Sequence, residues 1–229
     1  MKYKDYCVAL AVLAFFAAFA VFDSLYEFYM QFNKDHGFVM SFIKFALLAT
    51  FGEALGLRIV KGVYNYSGFG LIPRALVWGF LGIVMKMALV IFASGVPVLL
   101  QYSGMKDVPG IMAGDLSFSM VFIAFSISVF ANTFFAPILM VFHKITDTHI
   151  VNTGGTVKGL LSKMDVGSIM ASMNWQAQWS FVFKKTIPLF WFPAHTITFI
   201  LPSDLRILFA ALLGIALGVI LAIASLKSQ

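Results

Sequence analysis

Apolar stretches of near-membrane length alternate with short polar connections along the whole chain. They run over residues 6–32, 38–60, 74–100, 116–142, 180–201 and 205–226. About 20 apolar residues in helical conformation cross a hydrocarbon core, so the pattern predicts six transmembrane helices. The expected fold is therefore all-α, a polytopic membrane helix bundle forming one transmembrane domain over residues 1–229. The fifth span is the irregular one. Its clean apolar part covers only 187–201, and Pro188, Pro193 and Pro202 divide it, so a short or broken helix is expected. Residues 143–185 read as a cytoplasmic connector with room for an interfacial amphipathic helix over 166–183, where Trp175 and Trp179 stand four apart.

Composition supports this picture. The chain is 61% hydrophobic and 11% charged, against roughly 25% charged in a soluble domain. The net charge of +6 does not indicate nucleic acid, because the basic residues gather between the apolar runs. On one side of the predicted membrane fall eleven cations: Lys2, Lys4, Arg58, Lys61, Arg74, Lys144, Lys158, Lys163, Lys184, Lys185 and Lys227. The other side has three, Lys34, Lys106 and Arg206. Positive charge favours the cytoplasmic face, so both termini are expected inside. Lys2 and Lys4 lead into an apolar run with no small-residue cleavage site behind it, which reads as a retained first span. The single cysteine, Cys7, excludes an internal disulfide.

Two charges stand out against the apolar background. Glu53 lies about 12 Å of helix rise before Lys61, and Lys86 about 18 Å beyond Arg74. A charge at such depth costs at least ~2.5 kcal/mol and normally faces a partner or water. Their depths differ by only about 6 Å of rise, so an intramembrane Glu53–Lys86 pair is expected. Gly52 and Gly56 flank Glu53 with the spacing that lets membrane helices touch, which turns the acid towards protein. Gly214 and Gly218, with Ala210 and Ala222, form a second small-residue stripe, suited to packing within the chain or in a homo-oligomer. Asp23 and Glu27 share a face at the outer end of the first span, either a solvated helix end or an acidic mouth. Ser126 repeats with Ser119 and Thr133 every seven residues, and Ser128 pairs with Asn132. These hydroxyls and the amide read as glue between helices, or as the lining of a water path. His195 follows Pro193 at membrane depth, as a neutral hydrogen-bonded ring or as a proton carrier.

Other chemistry is sparse. His143, Asp147 and His149 lack the spacing of a helical zinc site, so no metal is expected. Gly154, Gly155 and Gly159 are not followed by the Lys-Ser/Thr of a phosphate loop, and no cofactor is expected. An enzyme is not expected either, because Glu53, His195, Asp147 and His149 are scattered over spans and loops.

Several motifs resemble the Mpv-seventeen and peroxisomal membrane protein family. Phe192-Pro193-Ala194, then Phe199, Pro202 and Arg206, are similar to its carboxyl-terminal pattern. Phe135-Ala136-Pro137 resembles its Phe-x-Pro step, Gly52-Glu53 its early Gly-Asp pair, and Arg74, Gly79 and Gly82 its Arg followed by glycines. The spacing of Pro193 and Pro202 is shorter than the family's, Thr198 stands in place of Asn, and Gly218-Val219 replaces a late Trp-Asn. The chain thus looks like a distant bacterial branch, which implies a bacterial inner (plasma) membrane as its location. The resemblance implies a channel, or a regulator of solute passage. The expected function is a channel or pore for small solutes or ions in the lipid bilayer. The alternatives are an ion-coupled transporter and a structural membrane bundle without transport activity.

Overall fold

The computed structural model describes residues 3–227, so Lys2 of the cation tally lies outside them, as does the side chain of Lys227. The protein is all-helical: 85% helix, with no strand among the described residues. The helices form two compact units, Met1–Met40 and Ser41–Gln229.

The first unit holds α1 (Tyr3–Val21) and α2 (Asp23–Asp35). The expected span over 6–32 is thus two helices. Backbone at Phe22 turns extended (φ −108°, ψ 94°), and Asp23 opens the first turn of α2, where an acid complements the helix dipole. With 19 residues and none buried, α1 is long and apolar enough to cross a membrane by itself. Asp23 and Glu27 are exposed on the amphipathic α2.

The second unit is built on α3 (Gly37–Lys61, which begins in the first unit), α4 (Leu71–Tyr102), the short α5 (Val108–Ala113), α6 (Phe118–Phe134) and α7 (Ala136–Asn152). The fourth expected span departs from a single rod over 116–142. It is the pair α6 and α7, bent by 44° around Phe135. Pro137 lies in the first turn of α7 and has no N–H to give the preceding turn, which places the bend there. Beyond the bend α7 continues through Asn152, so the polar segment His143–His149 is helical and belongs to this element, not to the connector.

After α8 (Val157–Leu160) and α9 (Val166–Ser172) comes the single turn α10 (Trp175–Ala177). The amphipathic helix expected over 166–183 is therefore interrupted. A 14-residue π-helix, Gln178–Trp191, follows and runs directly into α11 (Phe192–Ile200). Thr186 Oγ1 donates to the carbonyl of Phe181, five residues back, at 3.3 Å. Pro188 sits inside the π-helix and Pro193 in the first turn of α11, so a wide-to-narrow helix change takes the place of the broken fifth span. Pro202 then separates α11 from α12 (Ser203–Lys227). Among the described residues four helices are long and apolar enough to span a membrane, or five if the bent α6–α7 pair is one span, against the six expected. The π-helix and α11 do not qualify because neither is long and apolar enough alone.

The core lies around α6 and α11. Ile123, Ile127 and Phe199 are almost fully buried, with Phe45, Leu89 and Ala211 against the same cluster. Glycines set the closest approaches. A Cβ on Gly79 would meet the Phe42 ring at 2.5 Å, and one on Gly82 would meet the Ser41 carbonyl at 2.6 Å, so α4 receives α3 backbone to backbone. The two small-residue stripes meet each other: Gly52 lies against Ile215, and Gly218 against the Gly52 carbonyl. Gly218 and Gly56 therefore serve packing inside the chain, whereas a Cβ on Gly214 would meet nothing within 4 Å.

Gly82→Ala forces a methyl against a carbonyl that cannot swing away, and is expected to lower stability by about 1–3 kcal/mol. Gly214→Ala is expected to be neutral or slightly stabilising. Unfolding midpoints in a denaturing-detergent titration check both, and equal effects at the two sites would contradict the packing described.

Candidate functional site

The most concentrated polar chemistry lies where the end of α3, the start of α4 and the second half of α7 converge. Two turns bring these segments together. Gly70 takes φ +75° ahead of α4, and a Cβ there would strike Ile150 at 2.5 Å and Gly155 at 2.9 Å. Gly155 takes φ +68° and lies against Gly68, so the two loops interlock through glycine backbone. Arg74 and Trp78 then stand one turn apart on α4, and His143 and Asp147 one turn apart on α7. Residues four apart share a helix face. Arg74, Trp78 and His143 converge on Glu53, and Asp147 on Arg74.

Arg74 bridges two carboxylates, ion-pairing through one guanidinium nitrogen with both Glu53 and Asp147. Its Nε donates to the Phe69 carbonyl at 2.7 Å, and the guanidinium lies 4.4 Å over the Phe69 ring. The other oxygen of Glu53 accepts from Trp78 Nε1 at 2.7 Å and from His143 Nε2 at 2.9 Å. The Trp78 and His143 rings are themselves 4.3 Å apart. The Arg74 side chain is 8% exposed, Glu53 19% and Asp147 21%, so the charges are largely removed from solvent. Lys144, half-exposed, stands 3.9 Å from the outer oxygen of Asp147.

Lys86 is absent from this group, which corrects the expected Glu53–Lys86 pair. Its charge acts instead on the buried Lys44, as does that of Asp204 at the start of α12. Helix depth alone is compatible with pairing, but the donors around Glu53 compete. An arginine fork can serve two carboxylates and a carbonyl at once, whereas an ammonium is a single point charge. Glu53 has its donors nearer the loop end of the helices.

The remaining expected residues fall into separate places. Ser128, Asn132 and His195 come together in the core. Asn132 donates to the Ser128 carbonyl at 2.9 Å, and its amide nitrogen and oxygen lie 3.0 and 3.1 Å from His195 Nδ1. Ser128 Oγ donates to the Phe192 carbonyl at 2.8 Å, tying α6 to the start of α11 beside Pro193. Ser126 instead bonds its own helix at Phe122, 2.8 Å away, apart from that network. Arg206 crosses the Pro202 break, donating to the carbonyls of Leu201 and Phe199 at 3.0 and 3.1 Å, and so closes the end of α11. His149 bonds the Gly159 carbonyl at 3.0 Å, so the three polar residues His143, Asp147 and His149 turn to three different partners. No group of three His, Cys, Asp or Glu side chains suited to a metal occurs among the described residues.

Glu53 and Asp147 are scattered in the sequence, but Arg74 holds them together. Trp78 and His143 are further partners of Glu53, not expected from the sequence. The signal was available in the two four-residue spacings, hidden by ending the fourth helix at residue 142. Chemically the group is a saturated one: both Glu53 oxygens are engaged, by a guanidinium, an indole and an imidazole. Comparison with protein-family models, curated proteins and solved structures gives no match.

Removing one member of a buried pair leaves the other charge uncompensated, typically at about 3–5 kcal/mol. Arg74→Ala is expected to destabilise the protein in that range, and Arg74→Lys to recover only part. Lys86→Met is expected to leave the cluster intact. Unfolding midpoints of the three variants decide this, and a Lys86→Met loss as large as that of Arg74→Ala would contradict the assignment.

Proposed function

We propose that the chain is a multi-pass membrane protein whose Glu53–Arg74–Asp147 group is a latch across α3, α4 and α7, and that small solutes or ions pass when the latch opens. The observation that carries this reading is the arginine shared by two carboxylates from different helices, with little exposure to solvent. Charges in spanning segments are costly and face the bundle interior where they act. An arginine with two carboxylate partners can keep one while releasing the other, which makes the contact a natural point of opening. The family resemblance at Gly52, Glu53, Arg74, Pro193, Pro202 and Arg206 points towards solute passage as well, and a distant relationship to the Mpv-seventeen family is part of the proposal.

In this reading Gln178–Ile200 supplies the remaining crossing, the fifth of six in chain order, and both termini are cytoplasmic, in a bacterial plasma membrane. That arrangement puts the 62–70 and 153–156 loops on the same side, in agreement with the contact between Gly70 and Gly155. The polar groups are held for passage rather than for catalysis. A second reading, a structural bundle without transport, draws on the saturated hydrogen bonding of Glu53. An ion-coupled transporter would use the same latch with a proton or cation as the trigger.

Purified protein in planar bilayers separates these readings. Glu53→Gln and Asp147→Asn each weaken one arm of the latch, and both are expected to raise ion or solute flux at least several-fold over wild type. Bilayers holding wild type and both variants that conduct no more than protein-free ones would leave the structural bundle. Flux that appears only under an imposed proton or cation gradient would favour the transporter.

A further inference from the structure

The π-helix joins α11 through two rings that play no part in the latch. Trp191 closes the π-helix and His195 follows one turn later, on the same helix face. Their ring centroids are 5.0 Å apart and the planes tilt by 42°. One side of the imidazole is already committed. Nδ1 meets the Asn132 amide, Asn132 bonds Ser128, and the Ser128 hydroxyl donates to the Phe192 carbonyl.

The other side is not. His195 is 4% exposed, and its Nε2 and the Trp191 Nε1 are both shut off from solvent. Neither atom meets a hydrogen-bonding partner among the described residues. Buried polar atoms are nearly always bonded, to protein or to an internal water. Two exceptions on neighbouring rings therefore point to one ligand, and the rings set its chemistry. Indole Nε1–H can only donate, so the ligand must accept. Imidazole Nε2 accepts or donates according to which atom of the Asn132 amide bonds Nδ1, so the ligand must be able to do either. The network behind His195 is neutral, and a charged ligand would be left uncompensated. Ser128 and Asn132 beside the ring are almost fully buried, and such close packing admits only a small molecule. Water meets all four conditions.

We infer that a single internal water is bound between Trp191 Nε1 and His195 Nε2, at the junction of the π-helix and α11. The imidazole is then held at both nitrogens, through Asn132 to α6 and through the water to the last residue of the π-helix. That ties the change of helix winding to the Ser128–Asn132 network at the residue where the change occurs. The site uses no residue of the latch, and it holds whether or not solute passes through the protein.

Magnetisation transfer from water in NMR spectra of the full chain tests this, with deuterated protein in deuterated detergent micelles and protonated tryptophan and histidine. Wild type is expected to show a direct cross-peak with water at Trp191 Nε1–H and another at His195 Cδ2–H, the ring proton next to Nε2. Both should have the opposite NOE and ROE signs of a long-held water. Trp191→Phe removes the indole donor while keeping a ring in place, and should abolish the His195 cross-peak. His195→Phe should abolish the indole cross-peak in the same way, because each ring alone offers the water one bond. The inference is overturned if wild type shows no water cross-peak, if it shows one at a single ring only, or if either cross-peak survives undiminished when the other ring is replaced. If a variant does not fold, the two wild-type cross-peaks decide the matter, present together or not.

Discussion

A single guanidinium fixes how three helices of this protein meet. Arg74 has a backbone carbonyl behind it, an aromatic ring beneath it and a carboxylate on each side. Any helix movement that separates α3 from α4, or α4 from α7, must first uncover a charge where water is scarce. That requirement constrains the glycines as well. Gly70 and Gly155 can tolerate no side chain because the loops they occupy must close to bring Arg74 and Asp147 together. Gly79 and Gly82 must likewise let α3 lie close on α4, the helix that carries Arg74. Polar attraction and close backbone packing are thus parts of one arrangement.

Much of the fold is written in long apolar runs, and the runs are legible because each satisfies its own backbone within a helix. What was not legible is where such a helix ends or changes its winding. Phe22 breaks the first run without a proline or glycine to announce it. The polar residues His143 to His149 looked like the beginning of a connector, yet α7 continues through them because their partners come from other helices. The π-helix at Gln178–Trp191 has no clear periodic signature, and its two nearby prolines signalled irregularity without specifying its form.

The site was legible in part for the same reason. Glu53 could be identified from its isolation among apolar neighbours, and Gly52 and Gly56 foretold a close helix contact, now seen against α12. Its partner could not be chosen from depth alone. Lys86 satisfied the distance but met the charge environment of Lys44 and Asp204 instead. The pairing was determined by donor geometry: Arg74 and Trp78 one turn apart, His143 and Asp147 one turn apart, each set presented on one face. Ser128, Asn132 and His195 form the corresponding neutral contact between α6 and α11, where hydrogen bonds fix orientation without any charge to shelter.

The sequence separation of the ionic partners bears on how the chain is made. Glu53 and Arg74 are only 21 residues apart, on adjoining helices. As the nascent polypeptide leaves the ribosome, this hairpin can form with its acid and base already neutralising one another, before anything downstream exists. Within that hairpin the pair itself then carries no net charge. Asp147 is made much later than Arg74, so the second arm of the ion pair, on the helix beyond the bend at Phe135, is the last that synthesis makes available.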